Sequence, residues 1–266
     1  MQNLHIVDTH AHLTDKNFVG RLPEFLETAR NADVRSVLCV GTNIDDSHQG
    51  IALAEEHPEV RAAVGIHPNV CCQAGEGDWE QIIKLSSHPR VAAIGETGLD
   101  KYWDDCPWEV QVDYFRRHLQ LSHETQKPIV IHTRDCAEET LEILRDSAAQ
   151  TGQTSGQISG VMHSFTGPQS VADGCLDLGL YISFAGMVTF KNASEIADIA
   201  KRIPEDRILV ETDSPYLTPA PQRGKRPNHP AMTRHTLEFI AGLREVSVEQ
   251  MAASTTQNAF RLFGAW

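Results

Sequence analysis

PIVIHTRD, residues 128–135, runs almost directly into AEETLEILRDSAAQ, residues 137–150, and this pair decides how the chain is read. The first piece is a short apolar run ending on polar groups; the second repeats its apolar residues at helical spacing. A strand feeding a helix is the building unit of parallel α/β folds. Upstream the unit recurs as HIVDTHAHL (5–13) with RLPEFLETARNA (21–32), SVLCVGT (36–42) with SHQGIALAEEH (47–57), RAAVGIHP (61–68) with DWEQIIKLSS (78–87), and VAAIGETGLD (91–100) with WEVQVDYFRRHLQLSHETQ (108–126). Downstream come SGVMHSFTG (159–167) with SVADGCLDLG (170–179), YISFAG (181–186) with ASEIADIAKRI (193–203), and ILVETDSPYL (208–217), which passes through a Pro-rich loop into AMTRHTLEFIAGLREV (231–246).

Eight strand–helix pairs in 266 residues fit a single α/β (β/α)8 TIM-type barrel spanning 1–266, with SVEQMAASTTQNAFRLFG (247–264) as an extra C-terminal helix. An open doubly wound sheet usually has fewer units and a glycine-rich turn after its first strand, and no G-x-G-x-x-G follows strand one. TGQTSGQISG (151–160) reads as a polar loop inside the barrel, because the alternation resumes after it.

With 41% hydrophobic and 22% charged residues the chain can bury a real core. No run approaches the ~18 apolar residues of a membrane span, and the start MQNLHIVDTHAH lacks the features of a secretory signal. A soluble, cytoplasmic protein with no membrane or obligate protein partner is expected. The six cysteines include no C-x-x-C, and neighbours Cys71 and Cys72 cannot easily bridge each other, so reduced thiols are expected. A net charge of −13 argues against a broad basic surface for coating nucleic acid. It leaves room for an anionic substrate, since bound cations and the local cluster Arg223, Lys225 and Arg226 in QRGKRPNHP (222–230) can focus positive charge.

The unusual polar residues fall at one end of these units. His10 and His12 close strand one, His67 follows strand three, and Glu96, His132, His163 and Asp213 lie toward the ends of strands four, five, six and eight. In this fold the active site is built at the carboxyl ends of the strands. Because side chains alternate along a strand, Asp8, His10 and His12 are expected on one face. The histidines at 57, 88, 118, 123 and 235 fall in helices or turns and read as solvated or capping groups. Four of the strand-end histidines, His10, His12, His132 and His163, with the carboxylates Glu96 and Asp213, form a nitrogen and oxygen shell suited to Zn, Mn or Mg. Six ligands exceed the needs of one tetrahedral ion with an open position, and a carboxylate such as Glu96 can bridge, so a binuclear site is expected.

DTHAHL, GIHP, GETGLD, PIVIHTRD, MHSFTG (which looks like the family's HCFTG box) and ETDSPYLTP followed by RGKR together resemble the TatD-type metal-dependent deoxyribonucleases of the amidohydrolase superfamily, nearly end to end. The resemblance implies that His10, His12, Glu96 and Asp213 hold one divalent ion, and Glu96, His132 and His163 a second. It also implies a nuclease taking nucleotides from the 3′ ends of DNA or RNA. The chain departs from the family where Lys101 precedes Tyr102 after GLD, and where Asn228, His229 and Pro230 follow the basic loop, segments expected to face substrate.

Asp213 is the expected general base, with Glu96 bridging the ions. His67 and Arg134 are expected on the scissile or adjacent phosphate, the alternative for Arg134 being an ion pair with Asp135 or Asp100. Asp8 and Glu211, two residues before ligands, either orient ligand imidazoles or are simply paired polar groups inside the barrel. Gly95, Gly98 and Gly186 are expected at tight strand-to-loop turns. Three function classes compete: a phosphodiesterase on nucleic-acid ends, a hydrolase of a small ester, amide or lactone, and a barrel that only binds. Inactive descendants usually lose ligands, and here the set is whole, which favours the first two.

Overall fold

A computed structural model of the chain describes residues 4–150 and 157–266; most of the polar loop expected at 151–160 lies outside the described residues. Its strands are β1 Ile6–Ala11, β2 Val34–Val40, β3 Val60–Val64, β4 Val91–Asp100, β5 Ile129–Arg134, β6 Gly160–Met162, β7 Tyr181–Phe184 and β8 Ile208–Val210. Between and after them run α1 Leu22–Asn31, α2 Ile44–Glu56, α3 Asp78–Ser86, α4 Trp108–Thr125, α5 Ala137–Gln150, α6 Gln169–Asp177, α7 Ser194–Arg202, α8 Thr233–Leu243 and α9 Val248–Phe263. The strands form one parallel sheet in sequence order, β1 to β8. A parallel bridge between Ala11 and Ser214, with Asp213 N donating to His10 O at 2.9 Å, brings the last strand back to the first and closes the barrel. The expected (β/α)8 architecture and its extra C-terminal helix are both present.

Local sequence explains the elements. The strands are buried on both faces, so they read as near-continuous apolar runs. α1 opens with Pro23 in its first turn and buries Leu22, Phe25, Leu26 and Ala29 on one stripe. α2 is capped by Asn43, whose side chain accepts from Asp46 N, and α9 by Ser247, which accepts from Gln250 N. The outer core lies between strands and helices, around Ile6, Val37, Ile94, Ile129 and Ile182. A second cluster fills the barrel: Val7, Leu38, Val130, Val161 and Leu209 pack with Ala259, Leu262 and Phe263 of α9, which lies across the amino-terminal end of the barrel.

Two strands carry an extra residue beside the site. β1 shifts register against β2 between Asp8 and Ala11, and β4 shifts against β5 between Ile94 and Thr97. Such bulges re-aim side chains, here His10 and Glu96. Gly95 and Gly98 therefore serve β4 itself and not a turn: both have left-handed φ, 134° and 141°, and a Cβ on Gly98 would stand 2.0 Å from His132 O. Gly186 has no such φ; a Cβ there would strike Leu217 O at 2.0 Å.

One expectation about thiols fails. Cys72, in a short 3₁₀ turn after β3, and Cys106, just before α4, form a disulfide with Cα atoms 5.5 Å apart, while Cys39, Cys71, Cys136 and Cys175 are free and buried. Adjacency of Cys71 and Cys72 did exclude a bond between them, but a partner brought from the next loop by the barrel is invisible to spacing. No helix among the described residues is long and apolar enough to cross a membrane.

Candidate metal centre

All six expected ligands converge on the carboxyl end of the barrel. On one side of Glu96, His10 Nε2 lies 3.3 Å from Oε2 and 3.7 Å from Asp213 Oδ1. His12 Nε2 lies 3.3 Å from Asp213 Oδ1 and 3.7 Å from Glu96 Oε2. On the other side, His163 Nε2 and His132 Nδ1 stand 2.8 and 3.1 Å from Glu96 Oε1, and 3.3 Å from each other. Each oxygen of one buried carboxylate thus faces its own group of nitrogen donors.

The residues fit divalent cations on three grounds. Donor triads such as His10, His12 and Glu96 fall within 4.8 Å of one another. Glu96 Oε2 is buried and takes no hydrogen bond, a deficit of about 1–3 kcal/mol that a cation would remove. Finally, the far ring nitrogens of two histidines are engaged by carboxylates: His132 Nε2 at 3.1 Å from Asp100 Oδ2, and His163 Nδ1 at 3.3 Å from Glu211 Oε1. Those carboxylates would keep the outer nitrogens protonated when a cation displaces the inner protons, so that Nδ1 of His132 and Nε2 of His163 could serve as ligands on the Glu96 Oε1 side.

The charges balance internally. Burial opposes protonation of His12, but its hydrogen bond to Asp213 and the charges of Glu96, Asp213 and Asp46 hold its pKa at about 9. Burial likewise opposes His163, which Glu96 and Glu211 raise well above the ordinary range. His10, buried against His163, is lowered. Burial would raise the two acids, yet the surrounding imidazoles win and hold Glu96 well below and Asp213 below the usual carboxylate range. Asp213 has a left-handed φ of 55°, held by its N–H to His10 O.

His67 shares the cavity wall, with Nε2 3.5 Å from Glu96 Oε1. Its Nδ1 accepts from Asn69 N at 3.1 Å, so the proton sits on Nε2 and the ring offers a donor to the cavity. Burial keeps it neutral by lowering its pKa. Asp100, which sequence reasoning weighed only as a partner for Arg134, is central: besides His132 it accepts from Asn69 Nδ2 at 3.2 Å and from the backbone N–H groups of Tyr102 and Trp103 at 2.8 and 3.1 Å. The signal was available, since Asp100 stands four residues after Glu96 at the end of the GETGLD box.

Glu211 takes the imidazole-orienting position; it also accepts from Ser164 N at 2.7 Å. Asp8 does not. Its carboxylate accepts from Thr212 N at 2.9 Å and Thr212 Oγ1 at 2.6 Å and braces β1 against the chain after β8, and burial lifts its pKa to about 7 despite those bonds. The bulge in β1 explains why alternation misplaced it. Arg134 makes no ion pair with Asp100 or Asp135; its guanidinium lies 3.8 Å over the Tyr102 ring. Arg223, Lys225 and Arg226 are exposed on the long loop after β8, with Arg223 4.0 Å over Phe190.

Other expectations need correction. Lys101 turns from the cavity to pair with Glu139 and to sit 4.6 Å over Trp108. Asn228 is buried and donates to Thr212 O at 3.0 Å, so it supports the strand end and does not face substrate. His118 is not solvated: wholly buried in α4, it bonds Tyr114 O through Nδ1 at 2.6 Å and accepts from Ile66 N at 3.0 Å, next to His67.

Comparison with known proteins agrees with this geometry. The profile of a family described as TatD related DNase matches residues 7–264. The chain is 41% identical over 258 residues to the uncharacterized metal-dependent hydrolase YabD of Bacillus subtilis, covering 97% of this chain and 98% of that one. It is 34% identical to the 3′-5′ ssDNA/RNA exonuclease TatD of Salmonella typhimurium, covering 96% and 98%. The crystal structure of YJJV, a TatD homolog from Escherichia coli, superposes with a TM-score of 0.91 at 26% identity, covering 100% of both chains. The buried histidine and carboxylate cluster at the carboxyl end of a (β/α)8 barrel is thus that of a metal-dependent hydrolase, and the chain belongs to the TatD family.

Proposed function

We propose that the protein is a phosphodiesterase that removes nucleotides from the 3′ ends of single-stranded DNA or RNA at a binuclear site: His10, His12, Glu96 and Asp213 on one ion, and Glu96, His132 and His163 on the other. The observation that carries this reading is the division of donors between the two oxygens of Glu96. The activity named for the Salmonella relative supports the choice of substrate. Two divalent ions, Mg, Mn or Zn, would polarise a phosphoryl oxygen and acidify a water.

The chain's own groups do the rest. Asp213, held ionised by the imidazoles around it, orients the attacking water and accepts its proton. His67 donates from Nε2 to a phosphoryl oxygen, and Arg134, two residues after His132 at the mouth, supplies charge to the scissile or adjacent phosphate. Arg223, Lys225 and Arg226 hold the strand beyond the cavity. Few phosphates are engaged, so binding should depend on salt less steeply than for proteins making ~6–10 phosphate contacts.

The test is direct. Protein stripped by chelation and reloaded with Mg, Mn or Zn is offered end-labelled single-stranded DNA and RNA alongside carboxylester and lactone substrates. The expected result is stepwise loss of 3′ nucleotides that needs added metal and spares closed circular single strands. Turnover of the small esters alone, or rapid cutting of circles, overturns the proposal.

A further inference from the structure

Three large aromatic side chains at the carboxyl end of the barrel remain open to solvent: Tyr102 is 54% exposed, Trp103 48% and Tyr216 49%. Their attachment to the centre is specific. The Tyr216 ring lies 6.2 Å from His12, on the Glu96 Oε2 side. The backbone of Tyr102 and Trp103 is tied through Asp100 to His132, on the Oε1 side. The two rings meet edge to face, with centroids 4.9 Å apart at 86°, and the Arg134 guanidinium covers Tyr102 at 3.8 Å. A guanidinium stacked on an aromatic ring keeps donors free at its edge for phosphate.

We infer that Tyr102 and Trp103, set at right angles, form a cornered platform in which an unpaired nucleobase stacks on one ring and meets the other edge-on while its phosphate lies at the Glu96 centre, with Tyr216 as a second contact on the far side. The inference rests on the phosphodiesterase reading and assigns its substrate selectivity. Base–aromatic stacking accepts any base, because every base has a π face. It requires that the base be unpaired and splayed, which a duplex does not offer. The occupant is identified by the pairing of flat aromatic surface with a cation, beside a centre built for anionic oxygen. Asp100 holds the backbone of both residues before substrate arrives, which limits the entropy lost on binding.

The experiment uses the metal-loaded full chain and two single-stranded oligonucleotides of equal length, one natural and one with tetrahydrofuran abasic residues at its last two 3′ positions. The parent should show KM about tenfold lower for the natural strand. Tyr102→Ala with Trp103→Ala should erase that preference by raising KM for the natural strand, with kcat changing less, whereas Tyr102→Phe with Trp103→Phe keeps it. Fluorescence anisotropy of a dye-labelled strand should report the same loss of affinity without turnover. If the parent cleaves both strands alike, or the alanine pair retains the preference, the platform is overturned while the phosphodiesterase reading stands. If the parent cleaves neither strand, the phosphodiesterase reading fails and the platform with it.

Discussion

At the amino-terminal end of the barrel the interior is hydrocarbon: Val7, Leu38, Val130, Val161 and Leu209 meet Leu262 and Phe263 of α9. A few residues further along the same strands the interior holds His10, Glu96, His132 and, just past β6 and β8, His163, Glu211 and Asp213. Both ends are largely out of solvent, with His132 and Asp213 still 16% and 15% exposed at the mouth, yet they meet burial by opposite means. The lower end removes apolar surface from water, which stabilises the fold at ~25 cal/mol per Å². The upper end buries charge, which is tolerable only where each group has an opposite partner. Stability and chemistry are therefore separated along the barrel axis, and substitutions should sort by height.

The sharpest break should come from the upper end. Asp213→Asn should lower kcat by roughly 10²–10⁴-fold, the contribution of a positioned base, while elemental analysis finds most of the metal retained; activity near the parent level would remove Asp213 from that role. At the lower end, Leu209→Ala should cost ~2–5 kcal/mol in a denaturant titration and leave kcat/KM essentially unchanged under native conditions. Glu211→Gln or Asp100→Asn tests the layer between: each should weaken metal affinity or activity by roughly 10–100-fold, with a smaller change in melting temperature than Leu209→Ala gives. A larger stability loss than at Leu209 would dissolve the division.

His118 links the two behaviours. Burial depresses its pKa from 6.5 to about 4, so the unfolded chain binds the extra proton between those values. Its stabilising contribution is complete above pH ~6.5, falls as pH drops toward 4 and is constant below, amounting to about 3 kcal/mol at most. The slope of stability against pH in that window should flatten in His118→Gln when compared with the parent. The smallest effect is expected outermost: alanine at Arg223, Lys225 and Arg226 together should raise KM for DNA more than it lowers kcat, since those groups bind ground and transition states alike.

The architecture was legible because each strand–helix unit carries its own period, and eight such units leave few alternatives. The ligands were legible because imidazoles at the ends of apolar strands have no other economical explanation as a set. What spacing could not reveal was anything decided by a partner from another element. The β1 bulge sends Asp8 to Thr212, α4 carries His118 under the GIHP segment, and two neighbouring loops bring Cys72 to Cys106. Asp100 belongs to the same class, since its value lies in four partners drawn from two other segments and its own loop.

α9 has a consequence for the order of events. Among the described residues it packs against the apolar barrel interior at the amino-terminal end, opposite the metal centre. Whatever enters to be cut must withdraw, or release its cleaved fragment, past the groups that admitted it. A strand cannot be drawn through such a vessel as through a ring. If the proposed exonuclease reading holds, each round would end with the nucleotide leaving and the shortened strand reseating, and intermediates of every length should accumulate early.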